Sequence, residues 1–267
     1  GVGDMMARAI EMGADAVLLG IGGSATNDLG LGALQALGLR FLDASGGLLD
    51  RVKPSLWNRV ARMEGDLSKL PPVRIACDVE NPLLGASGAT YVYGPQKGIP
   101  ESSLADVERG MEKVAGLLLQ SFGGEPSLLA EPGSGAAGGL GFGLRTVTGS
   151  TFAPGFPLVS AWLDLDQRIA QSDLVVTGEG CFDDSSLHGK GPGAVASMAD
   201  AMGKSVLLLA GSVDPAAAAE LSRKHPKVET RSISRPDLSL NDNLRRTSQI
   251  LAKVLQEVIE NRNWDSS

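Results

Sequence analysis

The chain is poor in cysteine and in aromatic residues, and it has no run of one charge. Only Cys77 and Cys181 occur in 267 residues. Two cysteines so far apart exclude a disulfide framework and the paired spacing of a zinc site. They suit two reduced thiols in a cytoplasmic setting. Aromatics make up 4% while Ala, Gly, Leu and Val dominate, which argues against a β sandwich. The net charge is −7 and the sequence pI about 5.0. No basic stretch interleaved with aromatics is present, so nucleic acid is not expected as a partner. No apolar run reaches the length that spans a bilayer and no signal peptide stands out, so no membrane partner is expected.

What is abundant is glycine, 35 of 267 residues, within a composition that is 43% hydrophobic. That is enough to bury a sizeable core, and the length allows one large or two ordinary domains. Residues 4–12 read as a helix ending at Gly13, and 16–21 (AVLLGI) as a buried strand. Residues 31–38 read as a helix, 39–49 as a hairpin turning at Asp-Ala-Ser-Gly-Gly, and 73–78 and 89–93 (ATYVY) as strands. The clearest amphipathic helix covers 101–122, where Leu104, Val107, Met111, Val114, Leu118 and Phe122 recur every three or four residues, with Ser102 or Ser103 as its cap. A loop is expected around 149–157.

From there the alternation becomes regular: helix 163–171, strand 173–177, helix 192–202, strand 205–210, helix 214–224, strand 228–233 and an amphipathic helix 241–261. Strand–helix alternation predicts a parallel, Rossmann-like sheet and hence an α/β fold.

Polar turns bracketed by glycine follow these strands or open the helices: GIGGSATND (20–28), CDVENPLLG (77–85), GPQKG (94–98), PGSGAAGGLGFG (132–143), TGEGCFDDSSLHGK (177–190) and AGS (210–212). Glycine there lets backbone N–H groups approach a ligand closely, and ligands of open α/β sheets bind beyond the carboxyl ends of strands. An anionic, phosphorylated ligand is the expectation. In the fifth string, Glu179, Asp183 and Asp184 are candidates to hold Mg²⁺ or act on a hydroxyl, and Lys190, just before a helix, to meet a phosphate. His188 is equally a base or a hydrogen-bonded structural side chain. In the first string, Ser24, Thr26 and Asn27 offer polar groups for a ligand, and Asp28 is the best helix cap. Asp78 and Asn81 stand at a strand end, and Lys97 is a lone cation in a turn. The glycines of 132–143, among them Gly135, Gly138 and Gly139, suit a nucleotide-contact loop and a tight packing segment equally. They lack the preceding strand of a dinucleotide fingerprint and the Gly-Lys-Ser/Thr of a P-loop.

Together and in this order, GIGGSATND, the ACDV-x-NPLLG-x-x-GA stretch, GPQKG, PGSGAAGGLG and the TGEG-x-x-D…LHGK-x-P stretch resemble the bacterial type I glycerate kinase family over most of the chain. The resemblance implies an enzyme that uses ATP and Mg²⁺ to phosphorylate glycerate, with 2-phosphoglycerate the usual product. It also implies two α/β domains, one inserted into a Rossmann-like parallel-sheet domain. Here 1–160 would be the inserted domain with the glycine-rich loops, and 161–267 the C-terminal part of the Rossmann-like domain. The family carries a further N-terminal segment, with Asp-Ser-Phe-Lys-Gly-type and Ala-Asp-Gly-Gly-Glu-Gly-type motifs, that the present chain does not show. Within the shared strings, Cys181 stands where the family usually has Arg, Ser185 where it has Gln, Gly191 where it has Thr or Ala, and Leu29 where it has Gly or Ala. Arg is the natural bidentate partner of carboxylate or phosphate, and Cys cannot replace it.

The expected catalytic set is Lys190, Asp183, Glu179 and His188, with Glu179 and Asp183 also the metal ligands. The expected binding set is Ser24, Thr26, Asn27, Asp28, Asp78, Asn81, Lys97, Gly135, Gly138 and Gly139. Rival readings are an inactive or regulatory relative that keeps the cleft, a kinase of another small hydroxy acid, and, more weakly, a nicotinamide dehydrogenase. A homodimer is left open.

Overall fold

The computed structural model describes residues 1–187 and 191–261. The chain divides into two compact units, Gly1–Gly155 and Phe156–Ser267.

In the first unit, α1 (Val2–Glu11) precedes β1 (Val17–Gly20), α2 (Leu31–Ala36), β2 (Arg40–Leu42), β3 (Arg62–Glu64), β4 (Val73–Ala76), α3 (Ala89–Tyr93), α4 (Glu101–Phe122), α5 (Leu140–Thr148) and β5 (Thr151–Ala153). The strands β1, β4 and β5 form a parallel sheet with β4 in the centre. The predicted amphipathic helix is α4. It buries Leu104, Met111, Val114, Ala115, Leu118 and Leu119, the stripe that the three- and four-residue spacing dictates. Burying each such Leu contributes about 1.5–3 kcal/mol. The helix opens at Pro100 with no side-chain cap, so neither Ser102 nor Ser103 has that role. Proline suits the position, because its φ is already set and the first amides of a helix have no partner within it.

In the second unit, α6 (Gly155–Trp162, starting at the boundary) and α7 (Leu165–Ala170) lead into β6 (Leu174–Phe182), α8 (Gly191–Ala201), β7 (Ser205–Val213), α9 (Pro215–Lys224), β8 (Val228–Ser232) and α10 (Leu240–Asn261). The sheet is parallel in the order β6-β7-β8. Val206, Leu208 and Ala210 point into one core with Ala196, Ala199 and Leu221, while Leu207 and Leu209 face the other side with Val258. A strand buried on both faces reads as an unbroken apolar run, which is how SVLLLA reads. Asp214 caps α9, accepting a hydrogen bond from the N–H of Ala217 at 2.8 Å.

Several local expectations are corrected. ATYVY is the helix α3 and not a strand. Its β-branched and aromatic residues favour strands in general, but Ala89 and Thr90 are buried side by side while Tyr91 and Val92 face out, a helical pattern. The hairpin at 39–49 turns at Asp43–Gly47 as expected, but its return arm makes a single bridge, Leu42 to Leu48, and β2 pairs with β3 instead. The expected loop at 149–157 contains β5 and the start of α6. Gly178, Glu179, Gly180 and Cys181 are not a loop after the strand: β6 runs through them to Phe182, in register with β7. Likewise Gly211 and Ser212 belong to β7. Both strands are prolonged by pairing with each other, which local turn propensity does not report.

Candidate functional site

The first unit gathers its polar loops at the carboxyl ends of β1 and β4. The loop after β1 carries Ser24, Thr26, Asn27 and Asp28, and the loop after β4 carries Asp78 and Asn81. The turn at Pro95–Lys97 then brings Lys97 back to the first loop. Its ammonium donates to Ser24 Oγ at 2.9 Å and to the Thr26 carbonyl at 2.7 Å. It lies 5.8 Å from the centre of the Tyr93 ring, within cation–π range. Burial lowers the Lys97 pKa, and the nearby Asp28 carboxylate opposes that shift. Among the described residues Lys97 forms no ion pair.

Tyr93 was not singled out from sequence. Its hydroxyl donates to Asn81 Oδ1 at 2.6 Å, and Asn81 in turn donates through Nδ2 to the Ser87 carbonyl at 2.8 Å. Burial raises the Tyr93 pKa, and the Cys77 thiol adds to the shift. Tyr93 ends α3, and the chain turns through Gly94 and Pro95–Lys97 to set Lys97 beside its ring.

Asn27 is 7% exposed. It donates to Thr90 Oγ1 at 3.4 Å, and its Oδ1 is buried with no hydrogen-bond partner among the described residues. Asp28 caps from a distance: its carboxylate accepts the N–H groups of Gly30 at 3.1 Å and Gly32 at 3.3 Å, although the formal cap of α2 is Gly30. Asp78 accepts the Gly155 N–H at 2.7 Å.

The glycines of 132–143 have a steric reason. A Cβ on Gly135 would lie 2.1 Å from the Pro82 carbonyl oxygen, and one on Gly138 would lie 2.2 Å from that of Thr26. Gly138 and Gly139 also have φ of 69° and 85°. These residues let the segment press against the loops after β1 and β4. The Gly138 carbonyl accepts the N–H of Leu29 at 2.9 Å.

In the second unit, Glu179 sits within β6 opposite Ala210. Its Oε1 is buried without a hydrogen-bond partner among the described residues. It lines a cavity of about 570 Å³ whose other walls include Val176, Leu209, Ile233, Leu244 and Leu251. Cys181 is exposed, and its thiol lies 3.9 Å from Asp183 Oδ2. The N–H of Asp183 donates to Ser186 Oγ at 3.3 Å. His188, Gly189 and Lys190 lie outside the described residues. No group of three or more His, Cys, Asp or Glu side chains able to hold a metal occurs among the described residues. Glu179 lies inside β6 and Asp183 just past its end, four residues on along extended chain or about 13 Å at about 3.3 Å per residue, so the structure does not bring the two carboxylates to one ion.

A serine–histidine–carboxylate chain also occurs in this unit. Ser197 Oγ is 3.0 Å from His225 Nε2, and His225 Nδ1 is 3.1 Å from Asp200 Oδ2. Asp200 Oδ1 accepts the Lys227 N–H at 3.0 Å. Ser197 lies inside a helix and the group adjoins the amino end of β8, so it ties α8 to the turn after α9.

The parallel sheets define an α/β protein, and in the first unit the loop after β1 meets the half-buried Lys97. The glycerate kinase family model matches residues 1–263. The chain belongs to the glycerate kinase family. It is 38% identical over 219 residues to glycerate 2-kinase of Escherichia coli (strain K12), covering 80% of this chain and 56% of that protein. It is 33% identical over 273 residues to glycerate kinase of Halalkalibacterium halodurans, covering 100% of this chain and 70% of that protein. A crystal structure assigned as glycerate kinase 2 from Salmonella typhimurium LT2 superposes with a TM-score of 0.67 at 30% identity, over 97% of this chain and 69% of that one. The chain thus spans just over half the length of the E. coli relative. Among the described residues no helix is long and apolar enough to cross a membrane.

Proposed function

We propose that the protein is a glycerate kinase that transfers the γ-phosphoryl group of ATP to D-glycerate, giving 2-phosphoglycerate and ADP. The observation that carries this reading is the junction of Lys97 with Ser24 and the Thr26 carbonyl, which joins two of the strings shared with the family. In the reaction a glycerate hydroxyl oxygen bonds to the γ-phosphorus, the bond from that phosphorus to the ADP oxygen breaks, and the hydroxyl proton leaves to a base. Such transfers depend on positioning and charge neutralisation more than on covalent chemistry.

Groups suited to these tasks occur in each unit taken by itself. In the first, Lys97 and Ser24 offer a positive charge and a hydroxyl to an anionic group. In the second, the unpartnered Oε1 of Glu179 is a ready proton acceptor, and Asp183 is the second carboxylate. Mg²⁺ would be held by one of these carboxylates together with the substrate phosphates, and not by the two jointly, and would supply neutralisation of phosphate charge when bound. Lys190 keeps its proposed role at the phosphates, and His188 its proposed role as a candidate base. The cavity beside Glu179 falls within the size range of small-molecule sites and is mostly apolar, which suits a nucleoside.

A coupled ADP-release assay with D-glycerate, ATP and Mg²⁺, with the product's phosphorylated position read by NMR, tests the reading. Glycerate-dependent ADP release with phosphate on the 2-hydroxyl is the expected result. No release from folded protein would replace it with the inactive or regulatory alternative. A second reading, a kinase of another small hydroxy acid, is favoured by Cys181, whose thiol beside Asp183 offers no fork for a carboxylate. Faster turnover of another acid in a substrate panel would establish it.

A further inference from the structure

Lys97, Ser24 and Tyr93 are brought together by parts of the chain that are distant in sequence, and their hydrogen bonds leave a specific set of donors. The Lys97 ammonium has three N–H bonds, of which two are engaged by Ser24 Oγ and the Thr26 carbonyl. Ser24 accepts from the lysine, so its own O–H remains to donate. Tyr93 places its ring face beside the ammonium and is itself pinned through its hydroxyl to Asn81. A flexible four-carbon lysine stem is thereby held in one place by three contacts.

We infer that Lys97 and Ser24 form the seat for the carboxylate of the hydroxy-acid substrate, and that Tyr93 is the positioning residue that fixes the lysine there. The inference rests on the kinase reading above and goes beyond it in assigning one end of the substrate to one cluster. Charge selects a carboxylate over the phosphates of a nucleotide. The cluster offers one ammonium and one hydroxyl, with the Asp28 carboxylate close enough to act on Lys97 electrostatically. This suits a single negative charge held by two hydrogen bonds. A triphosphate needs several cations or backbone donors around it.

The test uses the full chain and separates the two ends of the reaction. Lys97→Met is expected to raise the KM for glycerate about tenfold to a hundredfold, the range of a charged hydrogen bond, and leave the KM for ATP unchanged. Ser24→Ala is a milder variant for the case where Lys97→Met does not fold, with a smaller rise on the same side. Glycerol lacks the carboxylate, so the preference for glycerate over glycerol should collapse in Lys97→Met. Tyr93→Leu should raise the glycerate KM with little change in kcat. Tyr93→Phe, which keeps the ring, should restore most of the difference.

A rise in the ATP KM instead would assign the cluster to phosphate and overturn the inference. An unchanged glycerate KM in Lys97→Met would do the same. If the unaltered protein turns over no hydroxy acid, the kinase reading fails separately. Calorimetric titration with D-glycerate then still decides: weaker binding to Lys97→Met supports the seat and equal binding removes it.

Discussion

Lys97 Nζ and Ser24 Oγ, 73 positions apart in sequence, are 2.9 Å apart in the structure. This contact joins two glycine-flanked turns that are far apart in sequence. Because burial lowers the Lys97 pKa from its ordinary value near 10.5, the cation is lost at a lower pH than for a surface lysine. The charged form binds an anion, so the glycerate KM should rise as pH passes upward through the Lys97 pKa. In the unfolded chain the same lysine keeps its proton over that interval, so stability should rise slightly with pH there. Initial rates across alkaline pH check the first expectation. In Lys97→Arg the rise should be absent, because Arg does not titrate in that range.

Gly138 is a spacing residue for the loop after β1. Alanine there would place Cβ 2.2 Å from the Thr26 carbonyl oxygen and 2.5 Å from the Asn27 Cα, both backbone atoms, at a φ of 69°. Neither side can yield cheaply. Gly138→Ala should lose more than about 3 kcal/mol of stability and displace the loop after β1. Gly98 is the control: its φ is 86° but nothing lies within 4 Å of the added methyl, so Gly98→Ala should cost only about 1 kcal/mol. Urea unfolding of the two variants measures the difference.

Leu29 is fully buried at a φ of 57°, a left-handed conformation that costs a non-glycine residue about 1–2 kcal/mol. Its side chain offsets that by filling the space beside Gly139 and Leu83. Leu29→Ala should destabilise by about 2–5 kcal/mol through the cavity left. Leu29→Gly should be no worse than the alanine variant, because glycine relieves the backbone. A glycine variant clearly less stable than the alanine variant in urea unfolding would show that backbone strain is minor here.

Asp43 is one source of acid sensitivity in the first unit. Its carboxylate accepts from Ser45 Oγ at 2.7 Å and the Gly47 N–H at 2.8 Å, and pairs with Arg59 at 3.2 Å. Ser45, then Gly47, then Arg59 pull its pKa from 3.8 to about 2. The sign is that of a depressed acid: the contribution is complete above about pH 4 and is lost as pH falls towards 2. The difference in melting temperature between the unaltered protein and Asp43→Asn should therefore be largest at neutral pH and narrow between pH 4 and pH 2.

The α/β class and most elements were legible in the sequence because each rests on local chemistry, and the family was legible through the resemblance of its ordered strings. The spacing of Leu104, Met111, Val114 and Leu118 dictates one buried helix face, and the unbroken run at Ser205–Ala210 dictates a strand covered on both sides. The polar, glycine-flanked strings pointed to the strand ends where ligands bind. Tertiary structure alone decided the rest. It made ATYVY a helix and so set Tyr93 beside Lys97, and it drew Gly178–Cys181 into β6 through pairing with β7. It also gave Gly135 and Gly138 a packing role that composition leaves open. Hydrogen-bond pairing and close backbone approach depend on partners tens of residues away, whereas local propensity reports only each segment's own preference.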